Sequence, residues 1–188
     1  SGSSDFIAGA IIGSHNFIAS LIDVNNGAVM LTGPVMDPRV AHELYLRMDH
    51  LGIRMSAHSK TAQFLAEKMK EEGLKVIYPG LKDHPQYKTL QDLSGKEMAG
   101  GILTLECADA DAARILATKL QDEKFGLYAV SLGFSRTLMS VSAKSTSSEI
   151  PEEERMKMGL AEGLLRFSIG YSGDPEVMWE RFIKCYRS

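Results

Sequence analysis

Between Asp37-Pro38 and Gly73 the chain contains no further proline and a single glycine, Gly52. An aspartate followed by proline is a helix start. The carboxylate caps a free backbone N–H, and proline's fixed φ suits the first helical position. Apolar residues then recur as Val40, Leu44, Met48, Met55, Ala62, Leu65 and Met69, at steps near three, four and seven, the period of one helix face. The pattern predicts one long helix, bent or broken near Gly52 and stopped at Gly73. Such a helix can carry the chain from one domain into another.

Ahead of it, Phe6 to Gly13 is apolar on both alternations. A strand covered on both faces reads this way, as in a parallel sheet. No second strand of that kind follows, so the segment is expected to be the tail of a larger α/β domain. A short apolar helix is expected around Asn16 to Asp23, and Gly27 to Pro34 fits either a loop or packed backbone. Beyond Gly73 the chain alternates. Strands are expected at Lys75–Tyr78, Gly101–Cys107, Gly126–Val130 and Leu164–Gly170. Helices are expected at His84–Leu93, at Asp109–Lys124 with Ala113, Leu116 and Leu120 on one face, and after Asp174-Pro175. The last of these turns Met178, Trp179, Phe182 and Ile183 inward. Interleaved strands and helices with short links predict a small sheet with helices packed on one side.

Composition narrows the class. Of 188 residues, 44% are hydrophobic and 24% charged, as in an ordinary globular protein. Lysine plus arginine total 21 against 24 acidic residues, a net charge of −3 that gives no footing for nucleic acid. Phe6–Gly13 is far shorter than the roughly 20 residues needed to cross a bilayer, so no membrane association is expected. Two cysteines, Cys107 and Cys185, make neither a disulfide framework nor a zinc site. They suit a reducing cytoplasmic setting.

No glycine-rich phosphate loop, metal-binding cluster or nucleophile elbow is recognisable. His50, Arg54 and His58 fall at i, i+4 and i+8 and read as a polar helix face. Ser131-Leu132-Gly133, followed by Lys144-Ser145-Thr146-Ser147, either presents hydroxyls and amides to an anion or is an ordinary exposed loop. Arg166 is the oddity. It lies within the otherwise apolar Leu164-Leu165-Arg166-Phe167-Ser168-Ile169, sharing a face with Ser168 while Leu165, Phe167 and Ile169 share the other. An arginine buried unpaired is costly. This one must meet an internal carboxylate, reach solvent at an edge, or grip a ligand's carboxylate with its planar fork.

Several dispersed motifs, in order along nearly the whole chain, resemble one family. They are Ser1-Gly2-Ser3-Ser4-Asp5 with Ile7-Ala8-Gly9; Leu51-Gly52-Ile53-Arg54-Met55 with His58-Ser59; Tyr78-Pro79-Gly80-Leu81 with His84-Pro85-Gln86; Gly100-Gly101; Ser131-Leu132-Gly133; and the Arg166 strand. The resemblance is to the cysteine/methionine-metabolism family of pyridoxal-phosphate enzymes, which includes the methionine γ-lyases, cystathionine lyases and cystathionine γ-synthases. Within it the chain looks most like the methionine γ-lyases.

The resemblance implies an α/β fold, the C-terminal part of a fold-type I pyridoxal-phosphate enzyme. Residues 1–53 would be the tail of the large cofactor-binding domain with the start of the connecting helix. Residues 54–188 would be a small C-terminal domain with a mainly antiparallel sheet and helices on one face. The implied activity of the intact parent is elimination on a sulfur amino acid (methionine, homocysteine, cystathionine or cysteine), giving a 2-oxo acid, ammonia and a thiol. The cofactor would be pyridoxal 5'-phosphate, and the assembly a cytoplasmic homotetramer. Arg166 would hold the substrate α-carboxylate, with Ser131 helping and Thr146 nearby. The resemblance puts the Schiff-base lysine three residues before Ser1, on a missing N-terminal half, so these 188 residues alone are expected to be inactive. Arg136 stands where the family usually has an acid, and Val141-Ser142 where it often has a histidine-proline pair. These departures bear on substrate preference. Two other readings stand beside this one: a non-catalytic amino-acid-binding or interaction module, and a parent of the γ-synthase (transferase) type.

Overall fold

The computed structural model describes residues 2–94, 98–142, 150–158 and 160–188. The chain divides into two compact units, residues 3–50 and residues 51–188, the latter joined by Gly2.

The first unit is helical, with α1 (His15–Leu21), α2 (Ala28–Thr32) and α3 (Pro38–Met48). Helix α3 starts where the sequence says it must, the Asp37 side chain accepting from the Arg39 N–H with Pro38 at the first position. The expected buried strand at Phe6–Gly13 is not formed. The segment is neither strand nor helix, and Ile7 and Ile12 are almost fully exposed. A strand needs neighbours for its N–H and C=O groups and cover for both faces, and the described residues of this unit include no other strand. Gly27–Pro34 resolves into the short α2, closed by Gly33 in the left-handed region at φ 59°.

The second unit contains α4 (Leu51–Glu71), β1 (Val76–Ile77), α5 (Tyr87–Ser94), β2 (Ile102–Glu106), α6 (Ala110–Asp122) and β3 (Leu127–Tyr128). It continues with β4 (Leu138–Val141), α7 (Glu152–Lys157), β5 (Leu164–Ser168) and α8 (Pro175–Arg187). The long helical stretch is thus broken at Asp49-His50, just before Gly52, and stops at Gly73, whose φ is 76°. Asp109 and Asp174 cap α6 and α8 by accepting from the Ala112 and Glu176 N–H groups.

The sheet order is β1-β2-β5-β4-β3, with antiparallel pairing everywhere except between β3 and β4. Leu103, Leu105, Met139, Val141, Leu165 and Phe167 point to one face, where they join Ala62, Leu65 and Met69 of α4, Ala113, Leu116 and Leu120 of α6, and Phe182 of α8 in a single core. Helices therefore cover one face of the sheet, as alternation in β2 and β5 requires. Strand β4 is the element that sequence reading misses. All four of its residues are buried, so no alternation marks it.

Candidate functional site

Strand β5 lies in the middle of the five, and Arg166 in the middle of β5. In register, Arg166 pairs with Thr104 of β2 on one side and Ser140 of β4 on the other. Directly opposed residues share a face, so Thr104, Ser140, Arg166 and Ser168 stand together on the side away from the helical core. Arg166 is half-buried there, between the buried Leu165 and Phe167 of the opposite face.

Among the described residues no carboxylate forms an ion pair with Arg166, and its Nε is buried without a hydrogen-bond partner. Burial pulls the guanidinium's pKa below its ordinary value. Of the three options open to such an arginine, an internal salt bridge and a freely solvated edge are therefore both excluded among the described residues. A half-desolvated guanidinium lacking a counter-charge can receive an incoming anion, whose arrival would reverse the desolvation cost.

The segment after β3 is sewn along this strand. Gly133 N–H donates to the Ser168 Oγ (3.0 Å), the N–H groups of Tyr171 and Ser172 both donate to the Ser135 carbonyl (2.9 Å each), and Gly170 N–H donates to the Thr137 Oγ1 (3.0 Å). Gly133 adopts φ 67°, the left-handed region open to glycine. The loop expected to present an anion site is thus pinned two residues from Arg166 on the same face. Ser131 itself is exposed. Thr146 lies outside the described residues, as do Lys144, Ser145 and Ser147. Val141, where the chain departs from the family's histidine-proline pair, belongs to β4 and faces the core. Arg136 lies over the Phe134 ring at 5.6 Å.

Close packing holds this loop in place. A Cβ on Gly170 would meet the Ser135 carbonyl oxygen and the backbone of Arg136 and Thr137. Gly170→Ala is therefore expected to destabilise the fold by about 1–3 kcal/mol through backbone displacement, measured as a lowered urea midpoint. An unchanged midpoint would show that the segment is not clamped.

The polar helix face expected from His50, Arg54 and His58 is not formed as such. His50 lies in the break before α4, and His58 turns inward. Its Nδ1 lies 2.5 Å from the Ile169 carbonyl, so that nitrogen carries the proton. Its ring meets Tyr171 edge-on at 4.9 Å. The residue that sequence reasoning misses at the site is Ser140, whose strand it also misses. A lone serine between bulky apolar residues in Leu138-Met139-Ser140-Val141 was the available signal.

Among the described residues no group of three His, Cys, Asp or Glu side chains could hold a metal ion, and no helix is long and apolar enough to cross a membrane. Among the described residues, the strand neighbours of Arg166 on this face are Thr104, Ser140 and Ser168, which offer hydroxyls and no amine.

Comparison with known proteins bears on the family. The family model for the Cys/Met metabolism PLP-dependent enzymes matches residues 1–176. The chain is 44% identical over 188 residues to a methionine gamma-lyase of Arabidopsis thaliana, covering 99% of this chain and 43% of that protein. It is 32% identical over 181 residues to a cystathionine beta-lyase of Lactococcus lactis subsp. cremoris, covering 94% and 45%. A solved structure, a putative O-acetylhomoserine (thiol)-lyase of Campylobacter jejuni holding N'-pyridoxyl-lysine-5'-monophosphate, superposes with a TM-score of 0.68 at 28% identity, covering 74% of this chain and 32% of that one. The chain spans less than half the length of these relatives.

Proposed function

The chain belongs to the Cys/Met metabolism family of pyridoxal-phosphate-dependent enzymes, and from that premise we propose that it is the C-terminal portion of a carbon–sulfur lyase. Its substrate is a sulfur amino acid, and its products are a 2-oxo acid, ammonia and a thiol. One observation carries the reading: Arg166, at the centre of the sheet, is half-buried with no counter-charge among the described residues. Its two terminal nitrogens suit the paired oxygens of an α-carboxylate.

In this reading residues 1–53 are the tail of the large cofactor-binding domain, and residues 54–188 are the small C-terminal domain. The exposed Ile7, Ile12 and Val35 support a further stretch of protein covering the first of these. Free Cys107 and Cys185 agree with a cytoplasmic enzyme. The homotetramer expected of the family is tested by sedimentation of the full-length protein.

Among the described residues, the strand neighbours of Arg166 present hydroxyls and no amine that would hold pyridoxal phosphate. When bound, that group supplies the electron sink for the carbanion at the amino acid's Cα. What this chain contributes is orientation. Arg166 holds the carboxylate and Gly133 anchors the bordering loop through Ser168, and the family resemblance adds Ser131 and Thr146 as further groups for the same carboxylate. Fixing one end of the substrate places Cα, and such positioning lowers a barrier by several kcal/mol.

The test is a product assay on the full-length protein. With methionine, homocysteine, cystathionine or cysteine, 2-oxo acid, ammonia and thiol should appear in equal amounts. No turnover of any of them, or equal turnover of the corresponding amines that lack a carboxylate, sinks the reading. A replacement product in place of the 2-oxo acid would assign the transferase branch. The 188 residues alone should show no turnover with added pyridoxal phosphate, since the family resemblance puts the Schiff-base lysine outside them.

A further inference from the structure

Two buried side-chain polar atoms among the described residues have no hydrogen-bond partner, the Oγ of Ser140 and the Nε of Arg166. They belong to residues directly opposed across the β4–β5 ladder. Such a pair shares a sheet face, with Cβ atoms about 5 Å apart. One atom bears a proton and can only donate, while the other can accept. Ser140 is wholly enclosed, with 0% of its surface exposed, so its hydroxyl is out of reach of a bound amino acid. The Nε of Arg166 is equally enclosed. Only the two terminal nitrogens are left for a carboxylate.

We infer that Ser140 is a positioning residue for Arg166, its hydroxyl accepting the Nε–H when a carboxylate engages the far edge of the guanidinium. The inference rests on the reading of Arg166 given above. A guanidinium can meet a carboxylate end-on through both terminal nitrogens, or side-on through Nε and one of them. Ser140 occupies the side-on edge and restricts the substrate to the end-on approach. Before the substrate arrives both groups stay unpaired, and each costs the fold stability. Carboxylate binding fixes the orientation of the planar fork and lets the two orphans satisfy one another.

The test is a double-mutant cycle in the full-length enzyme, using Ser140→Ala, Arg166→Ala and the pair. Ser140→Ala is expected to raise KM about tenfold, the value of a hydrogen bond to a charged group, and to change kcat less than twofold. It should leave the melting temperature equal or higher, because it removes a hydroxyl that has no partner. On the Arg166→Ala background it should have no further effect on KM. An unchanged KM for Ser140→Ala beside a raised KM for Arg166→Ala overturns the role of Ser140 and leaves the carboxylate reading standing. A lowered melting temperature with equal losses in every kinetic constant, or full additivity in the cycle, overturns it also. An unchanged KM for Arg166→Ala overturns both.

Discussion

Arg166→Ala in the full-length enzyme is expected to lower kcat/KM by about 10²–10⁴-fold, most of it as a raised KM. The size follows from losing two charge-assisted hydrogen bonds to one carboxylate in a half-desolvated site, each worth about 1.5–3 kcal/mol. Arg166→Lys should recover only part of this, because a point charge cannot reproduce the planar fork. Folding should tell the opposite story. The buried Nε has no partner among the described residues, and burial already disfavours the charge, so neither substitution should lower the urea midpoint of the chain. This separation is the signature of a group kept for a ligand. Full activity in Arg166→Ala, or loss of fold in place of loss of affinity, would remove the physical basis of the lyase reading.

Phe182→Ala should produce the largest stability loss of any single change in α8, about 3–5 kcal/mol. The ring is fully buried, with the rings of Phe125, Phe167, Trp179 and Tyr186 at 5.9, 6.2, 5.6 and 6.1 Å. Truncation removes the transfer energy of the ring and leaves a cavity that stiff aromatic neighbours cannot close. Small domains are stable by only about 5–15 kcal/mol, so the variant should lie near its unfolding midpoint in mild denaturant. The damage reaches the site as well, because Phe167 is the chain neighbour of Arg166 in β5. Urea unfolding of the 188-residue chain measures the cost, and a loss below about 1 kcal/mol would mean that the aromatic cluster is not the centre of the core.

Elements that carry their own start and stop chemistry are legible in the chain. Asp37-Pro38, Asp109 and Asp174-Pro175 each open a helix in the structure through the aspartate side chain, because an N-cap is a local hydrogen bond between residues a few positions apart. Strands β2 and β5 are legible because one face meets the helices and the other does not, which writes a period of two into the sequence. Phe6–Gly13 misleads for the matching reason. Apolar content says that a segment seeks cover, but a strand is defined by its neighbours.

For the site, the chemistry of Arg166 was written in the sequence: a guanidinium placed among apolar residues on a strand has few ways to be satisfied, and that follows from its charge alone. Which of those ways applies depended on residues far away in the chain. Ser140 is 26 positions before Arg166 in the sequence and becomes its neighbour only through the register of β4 on β5. The absence of an ion-pair partner among the described residues, and the anchoring of the Gly133 loop on Ser168, likewise exist only once the sheet has formed. Local propensity determines which segments become helix or strand. Long-range pairing alone determines which charge is left without a partner.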